Sequence, residues 1–208
     1  MRIGIIGAGH IGSTLARHFA AAGHDVAISN SRGPETMREL AAEAGVRVEA
    51  MTVDEAARFG EIVVVAIPFK SYKEVPAREL RGKIVIDANN YYPSRDGHFP
   101  ELDDDSTTSS ELLAQHLDGA SVVKAFNSMR WMTLRDNARP GGATGHLGIP
   151  ISSDDDEAKQ VVDDLIAEIG FDGVDAGSLA EGGRKHQPGA PVYGAELPSA
   201  ELAAQIAV

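Results

Sequence analysis

The stretch Arg2-Ile-Gly-Ile-Ile-Gly7-Ala-Gly9-His-Ile-Gly12 decides how the rest of the chain folds. Ile3, Ile5 and Ile6 form a short β-branched run closed by glycine, the pattern of a strand buried on both faces in a parallel sheet. Gly7-x-Gly9-x-x-Gly12 then opens a helical stretch, Ser13–Ala22, and another strand begins near Asp25. Strand, glycine turn and helix in that order make a dinucleotide-binding fingerprint. Gly7 permits the tight turn, Gly9 lets the backbone approach a pyrophosphate, and Gly12 lets the helix pack closely on the strand. The pyrophosphate would rest on the free N–H groups of the helix N-terminus, where the dipole favours negative charge.

Outward from this unit the chain alternates strands and helices. Strands are expected at Val26–Ser29, Val46–Glu49, Ile62–Ile67, Lys83–Asp87 and Ser121–Ala125, and further ones at His146–Ser152 and Phe171–Asp175. Helices are expected at Pro34–Ala44, Val53–Phe59, within Ser71–Leu80, at Ser109–Leu117 and at Asp154–Ile169, the last capped by Ser152 or Ser153. Pro93–Thr108 and Arg135–Gly145 read as loops. The pattern predicts an α/β fold, a doubly wound parallel sheet (Rossmann NAD(P)-binding fold) with strand order 3-2-1-4-5-6, extended by the last two strands. Residues 1–175 form this domain. Residues 176–208 are a small C-terminal tail that packs on the cleft or on a partner subunit, with no core element expected before Ser199–Ile206.

The chain has 208 residues and a net charge of −12, from 19 basic and 31 acidic side chains. That balance argues against nucleic acid or an anionic membrane as partner. It also means that an anionic cofactor needs local positive groups. There is no cysteine, which removes disulfides, thiolate catalysis and cysteine-ligated metals. The first core strand starts at the N-terminus, so no signal peptide is expected ahead of it, and no apolar run approaches a membrane span of about 20 residues. Cytoplasm is the expected location. The acidic runs Asp103–Asp105 and Asp154–Glu157 read as a solvated loop and a helix start; no metal site is expected.

In NAD sites an acidic residue near the end of the second strand binds the ribose 2′-OH. Here that strand ends Ser29-Asn30-Ser31-Arg32-Gly33-Pro34, without an acid before Glu35. The Ser31 hydroxyl and the Arg32 fork suit a 2′-phosphate, which favours NADP. Pro34 suits a helix start whose N-terminus would also face that phosphate. Ligands of open parallel sheets bind beyond the carboxyl ends of the strands. Four loops should therefore meet there: Gly7–Gly12, Pro68-Phe69, Asn89-Asn90 and Asn127–Trp131.

The sequence has no Tyr-x-x-x-Lys pair, no G-x-S-x-G elbow and no H-E-x-x-H helix. Only Ile151–Val208 follows the nucleotide domain, too little for the helical substrate domain of hydroxyacid dehydrogenases. What remains is hydride transfer without an evident acid–base side chain, suited to a ring that accepts hydride readily and takes its proton from solvent. Catalytic residues stay unassigned. The seven histidines are scattered and read as structural or solvated; His10 matters through its backbone N–H.

Ile5-Ile-Gly-Ala-Gly-His-Ile-Gly12, Ser29-Asn-Ser-Arg-Gly-Pro34, Val65-Ala-Ile-Pro68, Ile86-Asp-Ala-Asn-Asn90 and Lys124-Ala-Phe-Asn127 occur in this order. Together they resemble the NADP oxidoreductase family that uses the deazaflavin coenzyme F420, a unit shared with the cytosolic domains of six-transmembrane ferric reductases. The resemblance spans about Arg2 to Asp175. It implies reversible hydride transfer between NADP(H) and coenzyme F420, and a homodimer. It implies cofactor contacts at Gly7, Gly9, His10, Ile11 and Gly12, at Asn30, Ser31 and Arg32, at Ala66, Ile67 and Pro68, and at Asn89. It puts the Lys124–Asn127 motif where the second substrate would bind; Asn127, Arg130 and Trp131 follow that strand and are expected to line the second-substrate cleft, with Trp131 either stacking on the ring or filling a dimer interface. Arg130, Arg135, Arg139, Arg184 and Lys185 would receive the anionic tail of the deazaflavin.

Two other readings stand beside this one. NADPH could reduce a different acceptor: a flavin, a ferric chelate, or a small carbonyl or imine, with Tyr92 or Tyr193 as a proton source. The chain could also be a non-catalytic NADP-binding regulator, with a cleft too closed for a second ring.

Overall fold

Ile3, Ile5 and Ile6 are almost entirely shielded from solvent, so β1 (Arg2–Ile6) is an interior strand. The computed structural model describes residues 1–140 and 145–207. The first part of the chain runs β1, α1 (His10–Ala21), β2 (Asp25–Ser29), α2 (Arg38–Ala44), β3 (Val48–Ala50), α3 (Val53–Phe59) and β4 (Ile62–Val65). It continues through α4 (Ala77–Leu80), β5 (Ile84–Asp87), α5 (Pro93–Asp96), α6 (Pro100–Asp103), α7 (Ser109–His116) and β6 (Ser121–Lys124). The last part holds α8 (Trp131–Asp136), β7 (Gly148–Ser153), α9 (Asp156–Glu168), β8 (Asp172–Gly177), α10 (Gly182–Lys185) and α11 (Ser199–Ile206).

The sheet has eight strands in the order β3-β2-β1-β4-β5-β6-β7-β8. From β3 to β6 all neighbours are parallel, in registers such as Ile5↔Ile28 and Ile5↔Val64. Strand residues alternate between two apolar layers. Val64, Ile86 and Val123 meet α1 and α9 through Leu15, Phe19 and Leu165. Val63, Val65, Val85 and Val122 meet Phe69, Leu80 and Leu113 on the other face. The order turns back between β1 and β4, which opens a crevice at their carboxyl ends.

The sheet departs from all-parallel at β7, which meets β6 antiparallel through Val123↔Ser153 and Lys124↔Ser152 alone. β8 follows β7 in parallel. Among the described residues between β6 and β7 the one helix is the six-residue α8, about 9 Å long, too short for a helical crossover back to the starting edge. The chain enters β7 from the carboxyl-end side, and Gly148–Ile151 extends past the end of β6 beside the crevice.

Local differences follow the same logic. α1 begins at His10, three residues early, because Gly9 is its N-cap. Asp155, not Ser152 or Ser153, caps α9 by accepting from the Ala158 N–H at 3.0 Å. Pro34–Met37 is a 3-10 turn ahead of α2, so no α-helix N-terminus faces the Ser31–Arg32 loop. Pro93–Thr108 carries the single turns α5 and α6. The expected loop Arg135–Gly145 lies in part on residues 141–144, outside the described residues. The tail enters the core well before Ser199: His186 is fully buried and Val192 nearly so. A polar ring is buried there because both its nitrogens have partners. Among the described residues no helix is long and apolar enough to cross a membrane.

Candidate functional site: a groove across the ends of β1, β4, β5 and β6

The glycines of the first loop divide the work as their spacing implies. Gly7 sits at φ +116°, and a Cβ there would lie 2.2 Å from the Ala66 carbonyl oxygen. A Cβ on Gly12 would lie 1.9 Å from the Gly7 carbonyl oxygen. A Cβ on Gly9 would meet nothing within 4 Å, so that glycine faces the open groove. Gly9 caps α1 with no side-chain hydrogen bond, and the first turn carries no acid. The N–H groups there are left for a ligand, and the dipole favours an anion.

Beyond the end of β2, Asn30 shapes the next loop: its Oδ1 accepts from the Arg32 N–H at 2.8 Å and its Nδ2 donates to Thr36 Oγ1 at 3.0 Å. Ser31 and Arg32 are exposed and line a cavity of about 440 Å³ with Gly7, Gly9 and Ala66–Pro68. Asp54 and Glu74 line it too, so Arg32 supplies the positive charge at this end.

The groove continues into a second cavity of about 350 Å³ that shares Gly9, Ala66, Ile67 and Pro68 with the first. His10, Ile11, Asn89, Asn127 and Trp131 line it, joined by Asn90, Tyr92, Arg95, Met129 and Tyr193. Thus Gly7, Gly9, Asn30, Ser31, Arg32 and Ala66–Pro68 share one cavity, and His10, Ile11, Asn89, Asn127 and Trp131 the next. Gly12 is buried and acts through packing. Trp131 is half-buried and stacks on His10, centroids 4.4 Å apart and planes at 11°, with the Arg135 guanidinium 4.9 Å from its ring centre.

Arg130 is the exception. It is exposed and absent from the cavity lining, and its backbone N–H donates to Glu196 at 3.2 Å. The other cations expected to gather here do not line the cavity either. Arg135 pairs with Asp136, Arg184 with Asp105 at 3.8 Å, and Lys185 donates to the Ile206 carbonyl at 2.8 Å. Arg139 is exposed, with its backbone bonded to Gly170. The cation that lines the cleft is Arg95, held by Asp96 at 2.8 Å and by the Asn90 carbonyl at 2.6 Å.

Below the cleft lies a buried polar network. Asp87 and Lys124 face each other at 3.6 Å, each 1% exposed, bridged by the Ser110 hydroxyl at 2.6 and 2.9 Å. Asp87 also accepts from the Asn89 N–H at 2.9 Å, and Asn89 Oδ1 accepts from the Ile67 N–H at 2.8 Å. The Asn89 carboxamide is thereby fixed, and its Nδ2 is buried without a partner. That orphan donor beside the cleft, with the bare cradle at Gly9, fits a bound dinucleotide: one end takes phosphate, the other a carbonyl acceptor.

Phe126 stands at φ +64°, an uncommon conformation for a side-chain-bearing residue. It turns the chain so that Asn127 binds the tail. Asn127 Nδ2 donates to the His186 carbonyl at 2.7 Å and to Asn90 Oδ1 at 3.1 Å, and its Oδ1 faces His186 Nδ1 at 2.9 Å. Burial, and secondarily the Lys124 charge, push the His186 pKa well below its ordinary value. The ring is therefore neutral: Nδ1–H donates to Asn127, and Nε2 accepts from Ser152 Oγ at 2.9 Å. His186 and Arg95 had no motif to announce them, and Tyr193 was expected only as a proton source for another acceptor; their places in the site come from contacts across the fold.

Known proteins resemble this chain over most of its length. Residues 2–91 match the family model described as NADP oxidoreductase, coenzyme F420-dependent. The F420-dependent NADP reductase of Methanothermobacter thermautotrophicus is 26% identical over 194 residues, 86% of this chain and 82% of that protein. The metalloreductase STEAP3 of Rattus norvegicus is 28% identical over 181 residues. The match takes 86% of this chain, which spans about a third of STEAP3 (34%). Among solved structures, the hypothetical protein SMa0349 of Sinorhizobium meliloti superposes with a TM-score of 0.82 at 32% identity, covering 95% of both chains.

Proposed function

We propose that the chain, whose residues 2–91 match the coenzyme F420-dependent NADP oxidoreductase model, transfers hydride between NADP(H) and coenzyme F420 in the groove. The observation that supports this most is the continuity of the groove, from Arg32 past the uncapped helix at Gly9 to the cleft between Asn89, Trp131 and Tyr193. In this reading the α1 N-terminus holds the pyrophosphate, Ser31 and Arg32 the 2′-phosphate, and Asn89 Nδ2 the nicotinamide carboxamide. When bound, NADPH supplies the hydride. The chain's part is to hold two rings in contact and limit water between them. Asn127 and Trp131 line the acceptor's side, and the tail closes it. The cavity of about 350 Å³ leaves room for a ring, which speaks against a purely regulatory NADP-binding protein.

A second reading keeps NADPH and changes the acceptor to a flavin, ferric chelate, carbonyl or imine. It is favoured by the likeness to STEAP3, a metalloreductase, and by the dispersal of the cations expected to hold an anionic deazaflavin tail. NADPH oxidation followed at 340 nm with coenzyme F420, FMN, ferric citrate and a cyclic imine separates the readings. F420 should turn over fastest; oxidation only with another acceptor selects the second reading, and none with any of them removes both. A cytoplasmic homodimer belongs to the same proposal, and sedimentation tests the dimer.

A further inference from the structure

Tyr92 and Tyr193 lie 101 residues apart in sequence and share a direct hydroxyl–hydroxyl hydrogen bond in the cleft. Either hydroxyl can donate in that bond, and its surroundings favour one direction. Backbone carbonyls only accept. The Asn127 carbonyl accepts from Asn90 Nδ2 at 2.8 Å, which fixes the Asn90 amide. The second N–H of that amide reaches the Tyr193 hydroxyl at 3.5 Å. With one lone pair of the Tyr193 oxygen occupied by the Asn90 N–H, the arrangement in which the Tyr193 O–H donates to the Tyr92 oxygen leaves both Tyr193 groups satisfied. In that arrangement the Tyr92 proton has no acceptor among the described residues and stands at the wall of the cleft. The Arg95 guanidinium lies 4.9 Å from the Tyr92 ring centre; a cation over the ring draws electron density from the phenol and strengthens its O–H as a donor.

We propose that the Tyr92 hydroxyl, oriented by Tyr193 of the tail, is the hydrogen-bond donor that meets the negative charge developing on the hydride acceptor. This rests on the oxidoreductase reading above. The acceptor's electrophilic atom takes up the hydride, two electrons with one hydrogen nucleus, and its conjugated nitrogen or oxygen gains the charge. Tyr92 O–H stabilises that atom, and water supplies the proton that completes the reduced product. Tyr92 is then the catalytic residue and Tyr193 a positioning residue. Burial and the Tyr92 hydroxyl raise the pKa of Tyr193 above its ordinary value, so it keeps the proton that it donates. The acceptor class follows: a conjugated ring or double bond with a heteroatom acceptor, not a bare metal ion.

Two variants and one spectrum test this. Loss of a donor aimed at developing charge lowers kcat by roughly 100-fold or more. Tyr92→Phe should show that loss with F420, while the KM for NADPH and the fluorescence-measured affinity of the NADP⁺-loaded protein for F420 stay within about twofold of wild type. Tyr193→Phe should slow the reaction by a smaller factor. If its rate is unchanged or faster, the proton runs the other way and the proposal falls. In the unliganded protein, labelled at tyrosine ¹³Cζ, Tyr193→Phe should shift the Tyr92 resonance; an unmoved resonance means the pair does not exist in solution and overturns the proposal. The spectrum and the Tyr193 variant decide even where Tyr92→Phe folds poorly. A wild-type protein inert with every acceptor overturns the oxidoreductase reading itself, whereas an active wild type with an equally active Tyr92→Phe overturns only this inference.

Discussion

The two ends of the groove are made from different material. The end proposed to hold the phosphates is mostly backbone, with the Ser31 and Arg32 side chains at its edge: three glycines, a bare helix start and one turn after β2, taken from residues 7–12 and 30–32. The acceptor end is almost all side chain, joining Asn89–Arg95, Asn127–Trp131 and the tail at His186 and Tyr193. A backbone site tolerates little change in shape but asks little of distant residues. A side-chain site depends on several elements holding each other in place.

The sharpest way to break the comparison is at the glycines. Gly12→Ala would force a Cβ to 1.9 Å from the Gly7 carbonyl oxygen, so we expect a stability loss of about 3 kcal/mol in urea melts, together with loss of NADPH binding. Gly9→Ala meets nothing within 4 Å and should melt like wild type yet bind NADPH poorly, because its methyl group enters the phosphate cradle. Equal melting and equal binding in both variants would remove the cradle.

Arg32→Ala comes next. A charge-assisted hydrogen bond contributes about 1.5–3 kcal/mol, so NADPH affinity should fall roughly 10- to 150-fold. NADH has no 2′-phosphate and should change little in the same titration; equal weakening of both would make Arg32 a loop-shaping residue.

At the acceptor end the pH dependence carries the test. The His186 pKa is depressed in the folded chain. Above the unfolded value of 6.5 the ring is neutral in both states; as pH falls below it the unfolded chain binds a proton that the folded chain does not. Stability should drop with falling pH by up to about 1.4 kcal/mol per unit from this one group. His186→Gln should show a flatter urea-stability profile between about pH 6.5 and 5, the window set by the ordinary histidine value. An identical slope would mean that His186 is protonated in place.

Trp131→Ala has the smallest expected effect. An aromatic stack contributes about 0.5–1.5 kcal/mol, so the KM for the acceptor should rise between about twofold and twelvefold, with NADPH affinity near wild type. Added F420 should quench the fluorescence of this tryptophan in the NADP⁺-bound protein. Unchanged acceptor kinetics with a shift from dimer to monomer would instead assign Trp131 to an interface.

The sequence by itself determined the fold from β1 to β6 and the shape of the glycine loop after β1. A buried parallel strand must be apolar throughout, and a turn with φ +116° beside a carbonyl 2.2 Å from a Cβ position must be glycine; such demands are local and leave a mark at fixed spacing. The antiparallel entry of β7, the burial of His186, the dispersal of the arginines and the meeting of Tyr92 with Tyr193 were decided only by the tertiary structure. A hydrogen bond across 101 residues leaves no periodicity, and a polar side chain reads as solvated until its partners are known. Arg130 and Arg95 show the same divide. Arg130 adjoins a recognisable motif but is exposed and does not line the cleft, whereas Arg95, in a polar segment read as a loop, lines it, because one turn of helix and the carboxylate of Asp96 hold it there.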